Sequence, residues 1–323
     1  MKKALLLTSL TILLISCKEE KEVIQNKTLA YAEVGKESHK ELYGIWSGNM
    51  EPVWPEGDES EYYLTDGSDQ MTDGTKMVTV KINRITNDSV FGVSISGGNQ
   101  RPLVGVFRSN ALATTMVLNE PGDDKYDGRF ELELINDSLS GKWITYKKNR
   151  GLTPIKTLKL TQKKFKYDPN AMLRADTELI DWENHKEGEI AYEEYEDPEL
   201  TENNEVNPDS ITTDEEPKTY IGTIYRVASD QVFVLNASKN LLTEEQLKNL
   251  TKLDMEIIRN TIFARHGYSF KRTSLRYFFE SAYWYVPISN NVDKDLTKVE
   301  KQNIALLTRM EKYATDNYEH FGR

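Results

Sequence analysis

LDMEIIRNTIFARHGYSF, residues 253–270, is the stretch that decides how the C-terminal part of this chain folds. Met255–His266 has helix-compatible composition, and Gly267 stands where a left-handed residue normally ends a helix. At about 100° per residue, Leu253, Ile257 and Ala264 share one face, Met255, Ile258 and Ile262 a second, and Phe263 widens the coverage. Little of the circumference is left for solvent, so the helix is expected to be largely buried. Arg259, Asn260, Arg265 and His266 then lie in or beside a packed core and need partners, because an unpaired buried charge costs several kcal/mol.

Working outward, Thr243 precedes a short helix, Glu244–Leu250, with Glu245 and Gln246 near the capping-box position. Thr273 and Ser274 cap a third helix running through Ser281, and Thr297 with Glu300 forms a capping box for Lys298–Tyr313. In that last helix Val299, Asn303, Leu306 and Met310 share a face, with Ile304 and Leu307 beside it. Upstream, Thr219–Arg226 and Gln231–Leu235 read as a leading hairpin around Ala228-Ser229-Asp230.

Arg259-Asn260-Thr261-Ile262-Phe263-Ala264-Arg265-His266-Gly267-Tyr268 resembles the YARHG domain, a bacterial extracytoplasmic module named for its pentapeptide. Phe263 stands where the motif has tyrosine, which keeps the ring and loses the hydroxyl. Leu242–Leu247, Tyr277-Phe278, Trp284–Pro287 and Glu300–Ile304 match in register, so the resemblance spans roughly 233–313, about a quarter of the chain. It implies a small, mainly helical domain with an envelope or extracellular role and no established activity.

On their own terms, His266, Arg265 and Glu300 suit acid–base work. No Ser, Cys or second His stands beside them in a triad-like pattern, so no catalytic residue is assigned. A structural role is specific: His266 and Gly267 end the helix, cationic side chains there bond its terminal carbonyls, and Arg259 and Asn260 tie it to neighbouring loops. The motif residues Arg259, Asn260, Phe263, Ala264, Arg265, His266 and Gly267 are read as structural. Tyr277–Tyr285 is the densest aromatic run; Phe278, Trp284 and Pro287 are expected to pack on the central helix. Lys271, Arg272, Arg276, Tyr283 and Tyr285 are left as a binding face for a glycan, an anionic polymer or an envelope protein.

From Leu42 to Phe165 the chain reads as β. Met77–Ile85 alternates apolar and polar residues at period two. Val90–Ser96, Leu103–Arg108, Ala113–Leu118, Arg129–Leu134, Leu139–Tyr146 and Ile155–Leu160 follow between Gly, Asn, Asp and Pro clusters. Ile85–Gly92 repeats as Leu134–Gly141, each a strand, an Asn-Asp turn tolerant of left-handed geometry, and a return strand. The opening Gly44-Ile45-Trp46-Ser47-Gly48 resembles lipocalin-like and avidin-like barrels, in which such a Trp closes the bottom. An eight-strand barrel holds a small apolar ligand or is filled by its own side chains. Trp54, Tyr62, Tyr63 and Trp143 would line a mouth, or pack. Two aspartate-rich loops, Asp66–Asp73 and Asp123–Gly128, lack EF-hand spacing, so no metal or cofactor is expected.

Lys2-Lys3, the apolar run Ala4–Ile15 and Ser16-Cys17 form a signal peptide too short to be an ordinary membrane span. Leu14–Cys17 resembles a bacterial lipobox, which implies a diacylated Cys17 as the mature N-terminus. Two acyl chains suffice for stable attachment to the membrane. Lys18-Glu19-Glu20 is similar to the export signal of surface-exposed Bacteroidetes lipoproteins, and the aspartate that marks inner-membrane retention is missing. The expected location is therefore the outer membrane, with exposure at the cell surface. Cys17 is the chain's one cysteine, which excludes an intramolecular disulfide.

The net charge of −11 argues against nucleic-acid binding. Residues 176–217 hold 17 acidic residues against Lys186, a balance of −16, which leaves −11 + 16 = +5 for the rest. The stretch is either a self-repelling spacer or a segment for a basic partner. The expected organisation is a signal peptide (1–16), a lipidated tether (17–41), an antiparallel barrel (42–167), an acidic, partly disordered linker (168–218) and the YARHG-like domain (219–323). The fold class is thus α+β and multidomain. The function expected is non-enzymatic binding or a structural role in the envelope, with an apolar-ligand carrier and an envelope hydrolase as competitors.

Overall fold

The computed structural model describes residues 35–53, 76–147, 153–176, 178–192 and 218–317. The signal peptide, Cys17, Lys18, Glu19, Glu20, the Asp66–Asp73 loop, Trp54, Tyr62, Tyr63 and residues 193–217 lie outside them.

Eight antiparallel strands close into a barrel: β1 (Gly44–Pro52), β2 (Lys76–Ile85), β3 (Ser89–Ser96), β4 (Asn99–Ser109), β5 (Thr114–Asn119), β6 (Gly128–Ile135), β7 (Ser138–Thr145) and β8 (Ile155–Lys163). β8 returns to β1, Trp46 opposite Gln162 and Met50 opposite Leu158, so no edge is left unpaired. All seven strand candidates read from the sequence are present as β2–β8, and the Gly44–Gly48 opening lies in β1. Alternation puts Val78, Val80 and Ile82 inside, and they join Trp46, Phe107 and Phe130 in one buried cluster. The interior that the described residues enclose is thus packed with side chains. Trp46 is buried and donates Nε1–H to the Leu42 carbonyl of the turn before β1 at 2.8 Å.

Of the two repeated turns, only Asn136-Asp137 is left-handed at both positions (φ 45° and 61°). Asn87-Asp88 turns with ordinary φ, closed by Thr86 N–H on the Ser89 carbonyl at 2.8 Å. Asp127 of the second aspartate loop accepts from Arg101 and from the amides of Gly122 and Asp124. That carboxylate is used to hold the loop. Trp143 is buried, donating to the buried Glu120 at 3.3 Å, and is a packing residue rather than a mouth residue.

The expected hairpin partner of the 219–226 strand is corrected. Asp230–Phe233 is a 3₁₀ turn, and β10 (Lys218–Val227) pairs instead with β9 (Ile180–Tyr192), inside the stretch expected to be linker. Glycines face each other at Gly188 and Gly222, and Ile224, Ile190 and Tyr220 fold over the space a Cβ would fill. Leu173 and Leu179, also within that stretch, are buried in the helical core.

Four helices follow: α1 (Glu244–Leu247), α2 (Lys252–Arg265), α3 (Thr273–Glu280) and α4 (Lys298–Asn317). Capping boxes start α1 (Thr243/Gln246) and α2 (Thr251/Asp254). α3 lacks a cap of its own: Glu183 of β9 accepts from Thr273 N–H at 3.2 Å and from the Ser274 hydroxyl at 2.7 Å. α2 is the axis of this unit, packed most closely against α4, and eleven of its fourteen residues are buried. The helical unit meets the barrel at β2 and the β3–β4 turn. There Met77 N–H donates to Glu280 at 3.0 Å and Gly98 N–H to Ser269 Oγ at 3.1 Å.

Candidate functional site

The C-terminus of α2 builds the site. Gly267 N–H returns to the Ala264 carbonyl at 2.9 Å and Tyr268 N–H to the Phe263 carbonyl at 3.1 Å. Phe263 and Tyr268 pack ring to ring at 5.9 Å, which completes a Schellman motif. Gly267 has φ +72°, and a Cβ there would stand 2.5 Å from Ile288 and 3.0 Å from Phe165. Only glycine meets both demands.

This turn aims His266 and Arg265 away from their own helix. His266 Nε2 lies 2.9 Å from Glu300 Oε2 on α4. Glu300 also accepts from Thr297 N–H at 2.8 Å and from the Tyr167 hydroxyl at 3.0 Å. Burial alone would raise this carboxyl, but bonds from His266, Ser238 and Thr297 outweigh it and hold it down at about 2. The carboxylate is therefore ionised and only accepts, so Nε2 of His266 carries the hydrogen. The Tyr167 ring stacks on His266 at 4.3 Å and 17°. Burial, then the Glu300 bond and charge, push the Tyr167 phenol up to about 12.

Arg265 donates Nε–H to the Ala171 carbonyl at 2.7 Å and Nη1–H to Ser238 Oγ at 2.9 Å, and Nη2 lies 2.9 Å from Met172 Sδ. Burial lowers its pKa to about 10, so the guanidinium stays charged at neutral pH. Arg259 forms a two-pronged pair with Glu311 of α4 at 2.6 and 3.0 Å. Asn260 caps nothing outside its helix: its amide donates to the Glu256 carbonyl at 2.8 Å. Ala264 is fully packed and Phe263 half-buried. The expectation that cationic side chains would bond the helix's own last carbonyls, and Arg259 and Asn260 nearby loops, is corrected. Arg259 and His266 find their partners on a second helix, Arg265 on Ser238 and a segment that follows the barrel, and Asn260 within its own helix.

The five residues proposed as a binding face do not share one surface. Tyr283 is 85% exposed and Lys271 is exposed, although Gly98 of the barrel closes against the Lys271 main chain. Arg272 pairs with Glu256 and approaches Glu183, and Arg276 Nη1 donates to the Lys271 carbonyl at 2.9 Å. Tyr285 is buried, its hydroxyl donating to the Tyr268 carbonyl at 2.7 Å, and so leaves the face altogether.

Sequence reasoning missed three groups. Tyr167 stacks on His266 from outside the motif, whereas Trp284, expected to pack on the central helix and found against its core, also donates Nε1–H to the Met172 carbonyl at 2.8 Å. Asn303, read as one residue of an apolar face, uses its whole amide: it accepts from Leu242 N–H and donates to the Ala237 and Asn240 carbonyls. Asp181 and Arg226, both buried, pair across the base of the ribbon. An Asn in a helix stripe was the available signal for Asn303; nothing local marks the others. Among the described residues no group of three or more His, Cys, Asp or Glu is placed to hold a metal ion.

Compared with known families, residues 230–312, about a quarter of the chain, match the model of the YARHG domain. Neither a curated protein nor a solved structure matches the chain.

Proposed function

We propose that this YARHG-containing chain is a lipid-anchored protein of the bacterial outer membrane, displayed at the cell surface, with a non-enzymatic binding or structural role. The observation that carries the non-enzymatic part is that Arg259, Arg265 and His266 each have an internal partner, on α4, on Ser238 or on residues 171–172. A general base must reach a substrate proton, whereas His266 is buried beneath the Tyr167 ring. Anchoring rests on Leu14–Cys17, and display on Lys18-Glu19-Glu20. The packed barrel interior weighs against an apolar-ligand carrier. Contacts with an envelope protein or glycan would fall on exposed aromatics such as Tyr283 and Tyr277.

Fractionation and protease shaving of intact cells test the reading. The wild-type chain should float with outer-membrane vesicles and be cut from whole cells, while Cys17→Ser should appear in the soluble fraction. Protection of the wild-type chain until the outer membrane is opened would refute surface display. A Cys17→Ser variant that still floats would refute the anchor.

A further inference from the structure

The motif face does more than end a helix. It holds residues 165–173, the segment that leaves β8, and it does so largely through main-chain oxygens. Three grips fall on carbonyls: Asn236 Nδ2 on Pro169 at 2.8 Å, Arg265 Nε on Ala171 at 2.7 Å, and Trp284 Nε1 on Met172 at 2.8 Å. Two side chains anchor the ends. Tyr167 lies flat on His266 with its hydroxyl on Glu300, and Leu173 is 6% exposed, beside Leu179, Phe278 and Ala282. Between them the segment makes its own turn, Ala171 N–H on the Asp168 carbonyl at 3.2 Å and Asn170 N–H on Asp168 Oδ1 at 2.8 Å. Side chains that bond main-chain carbonyls, framed by one aromatic and one aliphatic anchor, are a means by which a folded surface binds a peptide.

We infer that the Arg265–His266 face is a peptide-binding groove whose resident ligand is the chain's own segment 165–173. The groove's walls fall within the matched region 230–312, whereas its ligand lies well upstream, after the barrel. Holding that ligand ties the helical unit to the barrel. This rests on the structural reading of the motif but not on where the protein resides, so a failed shaving experiment leaves it untouched.

The test frees the groove in the full chain and refills it from solution. Tyr167→Ala with Leu173→Ala removes both anchors and leaves every wall residue in place. A fluorescein-labelled peptide of residues 164–174 is then titrated and followed by anisotropy. The variant should bind it saturably, and the wild type, already occupied, at least about ten-fold more weakly. A peptide carrying the same two alanines should also lose about ten-fold, as should the variant with Arg265→Ala added. If the double variant does not fold by far-UV circular dichroism, Tyr167→Ala alone, which keeps Leu173 in the core, replaces it. Absence of binding to a folded variant would overturn the inference. So would equal binding of the native and alanine peptides, or equal binding by wild type and variant.

Discussion

Glu300→Gln tests the centre of the site, because Glu300 serves two structures at once. It closes the Thr297 capping box of α4 and it receives His266 and Tyr167. Its carboxyl lies at about 2 rather than 4.5, a difference worth about 3 kcal/mol to the folded state. The sign follows from the direction. A depressed acid contributes stability that is complete above pH 4.5 and is lost as pH falls through about 2. Glutamine keeps the shape and one carbonyl oxygen, which can still accept from His266 and Thr297. Its amide then faces the Tyr167 oxygen, which can accept. The neutral variant thus retains bonds but loses the charge, and should cost about 2–3 kcal/mol at pH 7. Glu300→Ala, which strands the His266 and Thr297 donors, should cost about 3–4 kcal/mol.

Urea unfolding followed by far-UV circular dichroism, which reports the helical unit, at pH 7, 4, 3 and 2.5 reads both quantities. Wild type should lose most of its advantage over Glu300→Gln between pH 4.5 and about 2, so that the two curves converge in acid. Curves that remain parallel throughout would mean that the carboxylate is not what the buried histidine and the cap rely on.

Two further substitutions probe the same unit. Gly267→Ala should cost more than about 2 kcal/mol, because φ is +72° and the new methyl meets Ile288 at 2.5 Å and the Val286 carbonyl at 2.9 Å; an unchanged thermal midpoint would refute the Schellman argument. At the barrel contact, burial, opposed by the Met77 amide, Arg276 and Lys76, pushes the Glu280 carboxyl up to about 7. A raised acid favours the folded state when protonated, so this contact is strongest below pH 4.5 and weakens as pH rises through 7. Lys156, lowered to about 7 by burial and Arg276, acts in the opposite sense as pH falls, so the variant is compared with wild type at each pH. Glu280→Gln should be the more stable protein at pH 8, by about 1–2 kcal/mol, and lose that lead by pH 5. A lead that does not change with pH would show that the carboxyl does not titrate in this range.

The barrel was legible because each strand has one wet and one dry face, so period-two alternation marks it and glycine or aspartate turns separate the copies. The helical unit was legible through the caps of α1 and α4, and the burial of α2 followed from apolar residues on most of its circumference. The β9–β10 ribbon was hidden by its composition. Ile180–Tyr192 has few apolar residues, and its packing depends on Ile190 and Ile224 folding over glycines on the opposite strand. Gln231–Leu235 is the converse case: a short apolar run fits a 3₁₀ turn that buries Val232 as well as it fits a strand. The partners of Arg265 were out of reach for a different reason. Ala171 and Met172 precede it by 94 and 93 residues, and no local pattern encodes which distant carbonyl a guanidinium will meet.

That distance bears on what the motif is for. A helix needs no arginine and histidine to end at a glycine; the main-chain bonds of Gly267 and Tyr268 already close it. Burying Arg265 costs enough to pull its pKa down to about 10, and the bonds it makes in return go to Ser238 and to residues 171–172, none of them on its own helix. Placing a cation there is favourable only if those remote groups must be held. The same holds for Glu300: Thr297 alone would account for a glutamate at that position, yet the side chain also reaches His266 and Tyr167, which joins the cap of α4 to the segment leaving the barrel. Polar residues that looked like an active site embedded in a core are therefore better explained as the means by which the core takes hold of a chain segment outside it.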